Sequence, residues 1–171
     1  MSTTSTVLLR PRPLDEADFE PFGAVLRSAD GDVRAVNEGR GTRRTLPGGL
    51  RHDRKAARDT VSLYHLEPSP APVPVRLFER HPLSGQLFWP VESARWLVVV
   101  APQGRDGKPD AAQARAFVAG PGRGVIYAPG VWHLPLVALD APATFVMRMF
   151  ETGTAEDCHE HALDEPLTVA L

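Results

Sequence analysis

The chain reads as an all-β domain that closes into a barrel or double-sheet jelly roll, with a few short helices. Three observations predict this. Seventeen prolines and fourteen glycines are spread evenly through 171 residues, cutting the chain into pieces too short for a helical bundle. Between these breakers, apolar runs recur at a spacing of roughly ten residues, the rhythm of short antiparallel strands. That many strands in one chain must manage their edges, and closure into a barrel or jelly roll does so. The length suits one domain spanning residues 1–171 with a sizeable core.

Element by element, residues 1–13 are expected as a flexible N-terminus. The apolar trio Val7-Leu8-Leu9 is too short for the core of a signal peptide. A helix is predicted over 14–22, with Asp15 near its start and Gly23 closing it. A strand follows over 24–28. Residues 30–59, polar and rich in Gly and Arg with no clear period, read as one long irregular loop, either mobile or functional. Strands are then predicted over 61–66, 75–80, 86–90, 95–101, 115–119, 124–127, 133–139 and 144–150. A short helical turn fits after Asp110, and a C-terminal helix over 155–163 with Thr154 as its cap.

Composition excludes several function classes. Net charge is −2 with no dense basic run, so no nucleic-acid partner is expected. The Arg-rich stretch 40–58 also carries Asp53 and reads as a solvated loop. A single cysteine, Cys158, excludes an internal disulfide and fits a reducing compartment. Cys158 itself reads as a small buried apolar residue. The longest apolar run, 96–102, is far below a membrane span, so a cytoplasmic protein without membrane contact is the expectation.

Two segments place polar residues where a barrel would point them inward. In Phe78-Glu-Arg-His-Pro-Leu-Ser-Gly-Gln-Leu-Phe-Trp-Pro90, alternation puts Glu79 and His81 on one face and Arg80 on the other. Gln86 opens the return strand after a Pro-Leu-Ser-Gly turn and can rejoin the same site. In Gly124-Val-Ile-Tyr-Ala-Pro-Gly-Val-Trp-His-Leu-Pro-Leu136, Tyr127 ends a buried strand and Pro129-Gly130 makes a turn. His133 then begins a new strand with a rigid backbone behind it.

Glu79, His81, Gln86 and His133 are all oxygen or nitrogen donors for a hard or borderline divalent ion. The same groups could equally hydrogen-bond one another and bind an organic anion without metal. In that case His133 or His81 is the natural base, with Glu79 orienting it or acting as base itself. Arg80, Lys108 and Arg148 are candidates to meet an anionic substrate, although Arg80 can also pair across the opposite face. His52, His65, His159 and His161 read as loop, surface or terminal residues.

The spacings resemble those of cupin barrels. Gly122, five residues, then Ala128-Pro-Gly-Val-Trp-His133 fits the second cupin motif except for Ala128 in the proline position. Glu79-Arg-His81, four residues, Gln86, six residues and Ser93 keeps the first motif's spacing, with Glu79, Gln86 and Ser93 replacing its first His, its Glu and its Gly. More specifically, Glu79-Arg-His-Pro-Leu-x-x-Gln86, Lys108-Pro-Asp110 followed by Arg115-Ala-Phe117, and Val131-Trp-His133-x-Pro-Leu136 resemble the ureidoglycolate lyases (also called ureidoglycolate hydrolases) from about residue 14 to 163.

That resemblance implies a cupin-like double-stranded β-helix and a homodimer. The implied reaction is cleavage of (S)-ureidoglycolate to glyoxylate and urea, a carbon–nitrogen lyase step in allantoin and purine catabolism, with Ni²⁺ as cofactor. It also implies catalytic roles for Glu79, His81 and His133. Substrate contacts would come from Arg80, Gln86, Lys108, Tyr127 and Asn37, the last a counterpart of Asn-containing loops in the family. Two departures stand out. Leu134 occupies a position where many members have a second His, and 33–53 matches poorly. The other readings are a cupin enzyme acting on another small hydroxy or keto acid, and a non-catalytic small-acid-binding cupin. The apolar neighbourhood of Trp89, Val91 and Trp96 is the candidate dimer surface.

Overall fold

A computed structural model describes residues 7–171. Two short strands, β1 (Leu8–Leu9) and β2 (Arg12–Pro13), precede the one α-helix among the described residues, α1 (Glu16–Phe19), and a 3-10 turn, Glu20–Phe22. Asp15 caps α1 by accepting the backbone N–H groups of Ala17 and Asp18. Gly23 ends the helical stretch at φ 148°, where a Cβ would collide with the Ile126 carbonyl. The strands that follow are β3 (Gly23–Arg27), β4 (Asp32–Val36), β5 (Gly41–Thr45), β6 (Arg58–Leu66), β7 (Val73–Arg80), β8 (Gln86–Glu92) and β9 (Trp96–Ala101). The rest are β10 (Arg115–Ala119), β11 (Arg123–Tyr127), β12 (Trp132–His133), β13 (Val137–Ala138), β14 (Ala143–Glu151) and β15 (His159–Val169).

Two sheets make the cupin-like barrel. One has eight strands in the order β1-β15-β7-β12-β9-β10-β2, with β13 also on β9; the other runs β3-β11-β8-β14-β6. The core lies between them. Trp96, Val98 and Val100 of β9 meet Phe88, Phe117, Val125, Phe145 and Met147 there. By alternation Leu97, Val99 and Ala101 point the other way, into a second cluster with Val75, Phe78, Trp132 and Leu167. β9 is therefore apolar throughout because both of its faces are covered, and each such side chain contributes roughly 1.5–3 kcal/mol by leaving water.

Four expectations are corrected. The start of the chain is not loose over 8–13: β1 pairs in parallel with β15 and β2 with β10. Residues 30–59 are not wholly irregular, since β4 and β5 form a hairpin turned by Asn37, Glu38 and Gly39, all at positive φ. Its strands are mostly exposed on both faces, so no apolar alternation announced it. The strand expected over 133–139 is split into β12 and β13, with Pro135, which has no N–H to donate, between them.

The helix expected over 155–163 is one 3-10 turn, Ala155–Asp157, followed by the long strand β15. Thr154 does cap that turn. The buried Asp157 carboxylate folds back onto the N–H groups of Thr152, Gly153 and Thr154, completing a capping box, but Cys158 is already extended at φ −143° and the turn goes no further. The chain then pairs along β7, anchored by Leu167 and Val169 two residues apart in the core.

Candidate functional site

On β7, Phe78 packs into the second apolar cluster, so Glu79 must turn to the opposite face. β12 repeats the step: Trp132 joins Phe78's cluster, and His133 points with Glu79. The two are directly opposite in the ladder. His81, just beyond the end of β7, keeps the parity of Glu79. The Glu79 carboxylate thus faces the Nε2 atoms of both histidines, at 3.4 Å from His133 and 3.9 Å from His81.

Each imidazole is oriented by its other nitrogen. His133 Nδ1 lies 2.9 Å from the Val131 carbonyl and His81 Nδ1 lies 2.8 Å from the Asp157 carbonyl. A carbonyl only accepts, so both Nδ1 atoms carry the hydrogen and donate it. In the neutral rings this leaves both Nε2 lone pairs aimed at the carboxylate. Both Nε2 atoms are buried without a hydrogen-bond partner. Tyr127 stacks on His133 with ring centroids 4.1 Å apart, fixing its plane.

Burial would raise the Glu79 carboxyl, but the two imidazoles facing it bring it down to about 2, so it is ionised. Burial pushes His133 below its ordinary value and outweighs Glu79's opposing influence, so its ring is neutral. A carboxylate facing two unpartnered imidazole nitrogens is satisfied by a cation, whether a proton on an imidazole or a bound metal ion. A carboxylate with two imidazole Nε2 atoms, each ring's other N–H held by a backbone carbonyl, is a fitting donor set for a divalent metal.

Gln86 is buried beside this cluster in sequence register with Tyr127 and Met149. Its Nε2 donates weakly to Met149 Sδ at 3.7 Å, and its Oε1 has no partner. The other candidates sit elsewhere. Arg80 turns to the opposite face, donates to Gln103 Oε1 at 2.7 Å and stacks over Trp132. Lys108 is exposed in the turn after β9, and Asn37 is exposed in the β4–β5 hairpin. Arg148 is held by Asp59 through two hydrogen bonds on the outer face.

Two residues near the cluster escaped the sequence reading. Tyr64, on β6, packs edge-on against Phe88, and its phenol is pushed up by burial and by Glu79, Glu151 and Cys158. Cys158 is exposed rather than buried, because the turn ends at Asp157 and leaves it as the extended residue just before β15. Its Sγ, a Glu79 oxygen and a His81 ring nitrogen all lie within 4.8 Å of one another. Burial and the carboxylates of Glu79, Glu160 and Asp157 push its thiol up to about 11. The signal for Tyr64 was the alternation Ser62, Tyr64, Leu66; for Cys158 it was a strand pairing that only the fold reveals.

A family model described as ureidoglycolate lyase matches residues 6–170. The ureidoglycolate lyase of Azotobacter vinelandii is 34% identical over 158 residues, covering 92% of this chain and 93% of that one. Ureidoglycolate lyase 2 of Rhizobium meliloti is 36% identical over 160 residues, covering 92% and 94%. Among solved structures, a dTDP sugar isomerase from Desulfovibrio desulfuricans aligns at a TM-score of 0.49 and 19% identity, over 84% of this chain and 87% of that one.

Proposed function

The chain belongs to the ureidoglycolate lyase family, and from that membership we propose that it cleaves (S)-ureidoglycolate to glyoxylate and urea as a carbon–nitrogen lyase of purine nitrogen catabolism. The observation that carries this reading is the convergence of Glu79 with the Nε2 atoms of His81 and His133.

The reaction needs a proton taken from the substrate's hydroxyl, so that its oxygen collapses to the aldehyde, and a proton placed on the departing ureido nitrogen. The two balance, and no water or redox partner is consumed. Glu79, ionised at neutral pH, is placed to accept a hydrogen bond from the substrate's hydroxyl and orient it. Gln86 Oε1, a buried acceptor without a partner, suits a substrate N–H better than a metal, since a neutral amide is the weakest ligand of the set. Tyr64, protonated at neutral pH, can donate to the substrate's oxygens. Tyr127 acts through its stack on His133.

Glu79, His81 and His133 are the residues we assign to a divalent ion, Ni²⁺ by family resemblance. Such an ion supplies Lewis-acid polarisation of the hydroxyl and carboxylate oxygens. General acid–base help is worth ~10²–10⁴-fold.

A homodimer is part of the proposal. The outer face of the five-stranded sheet supports it: Leu63, Val146 and Trp89 stand side by side across β6, β14 and β8, with exposed Val61 and Val91 nearby. Trp96, expected at this surface, is fully buried in the core and takes no part. No helix among the described residues is long and apolar enough to cross a membrane. A cytoplasmic location remains part of the proposal.

The test is incubation with racemic ureidoglycolate, following glyoxylate and urea against a no-enzyme control, because the substrate also decomposes spontaneously. Stoichiometric release of both products above that background is expected, from one enantiomer only. No release above background, with or without added metal, would overturn the substrate assignment.

A further inference from the structure

We propose that Cys158 is a metal ligand, and that its Sγ joins Glu79 and His81 in a mixed sulfur, nitrogen and oxygen site for a borderline ion such as Ni²⁺, Co²⁺ or Zn²⁺. The inference rests on the metal reading given above and deepens it. A thiolate changes which ions the site prefers: sulfur favours the softer end of the divalent series over Mn²⁺ and Mg²⁺, which carboxylate and imidazole alone accept more readily.

Four observations carry it. Cys158 Sγ, a Glu79 oxygen and a His81 ring nitrogen form a compact triangle, each within 4.8 Å of the others. His81, only 8% exposed, aims an unpartnered Nε2 into the cluster. His133, 1% exposed, holds a second unpartnered Nε2 3.4 Å from Glu79 Oε1.

The fourth is the way Cys158 is placed. The Asp157 side chain is locked by three backbone N–H groups and the Thr152 hydroxyl, while its carbonyl accepts from His81 Nδ1. One residue therefore orients the His81 ring through its carbonyl and presents the next residue, Cys158, to the same point. Metal-binding histidines commonly show such support for the non-ligating nitrogen. On binding, the S–H bond breaks, its proton leaves to solvent, and the freed sulfur electron pair forms the metal–sulfur bond.

The test is a Co²⁺ titration of the full-length, metal-stripped protein, read by absorption spectroscopy and by calorimetry. The chain has one cysteine, so a near-ultraviolet sulfur-to-cobalt charge-transfer band can come only from Cys158. The band is expected in the wild type and absent in Cys158→Ser, which should bind Co²⁺ roughly tenfold or more weakly. Co²⁺ binding that Glu79→Gln weakens, but without the sulfur band, would overturn the thiolate ligand and leave the metal reading standing. No calorimetric binding at all would overturn both. Urea release in the presence of chelator would then decide separately whether the lyase reading survives.

Discussion

Glu79 and Arg80 are neighbours on β7, as Trp132 and His133 are on β12, yet the two faces they define are unlike. Outward, Arg80 donates to Gln103 Oε1 at 2.7 Å, its guanidinium lies 4.5 Å over the Trp132 ring, and Trp132 Nε1 donates to the Gly107 carbonyl; only Arg80 Nε lacks a partner. Inward, a carboxylate faces two imidazole Nε2 atoms, and neither Nε2 has a hydrogen-bond partner. A buried polar atom left unpaired costs about 1–3 kcal/mol, so an arrangement assembled only for stability would not leave two of them together. The outward face holds the fold, and the inward face is held ready for something that the fold does not itself contain.

The comparison can be broken most directly at His133. His133→Gln should lower kcat by ~10²–10⁴-fold while circular dichroism and the dichroic melt show a folded barrel. Activity within threefold of wild type would mean the inward face is not the reaction centre.

Phe78, one residue before Glu79, is fully buried on the outward side. Phe78→Ala should cost ~3–5 kcal/mol in urea unfolding, with kcat per folded molecule little changed. A large fall in kcat without loss of stability would show that the two faces are not separable.

The pH dependence of the metal-free protein sharpens the same division. Burial holds His133 below its ordinary value of 6.5, so the unfolded chain binds that proton more readily than the folded one. Stability should therefore be full above pH 6.5 and fall as pH drops through it, by up to ~1.4 kcal/mol per pH unit. Glu79, lowered from 4.5 to about 2, adds stability that is present above 4.5 and lost as pH falls toward 2. Denaturant midpoints between pH 8 and 5 should show the first slope in the wild type and a shallower one in His133→Gln. Equal slopes would contradict a neutral, buried His133. The smallest effect belongs outward: Arg80→Gln should cost about 1 kcal/mol, the worth of one cation–π contact, in the same unfolding assay.

How much of this was legible in the sequence differs by residue. Glu79, His81 and His133 were readable because alternation on β7 and the Pro129-Gly130 turn before β12 fix their directions locally. Their direct opposition was not, since a ladder register between segments some fifty residues apart has no local signature. The strands themselves were readable wherever one face is apolar. The β4–β5 hairpin and β15 were missed because their alternation is polar or begins late, at Leu167. Missing β15 is also why Cys158 was taken for packing: as part of a terminal helix it had no reason to meet Glu79. Tyr127 was placed at the end of its strand, but the stack on His133 could not be seen without the pairing of β11 beside β8.

The measurement that bears most directly on the central claim is the steady-state kcat of Glu79→Gln and Arg80→Gln, purified side by side and assayed for urea release from ureidoglycolate. The two substitutions are adjacent, remove one charge each and face opposite ways. Glu79→Gln should lose at least ~10²-fold while Arg80→Gln stays within about threefold of wild type. Comparable losses in the two, or the larger loss in Arg80→Gln, would contradict the placement of the reaction on the inward face.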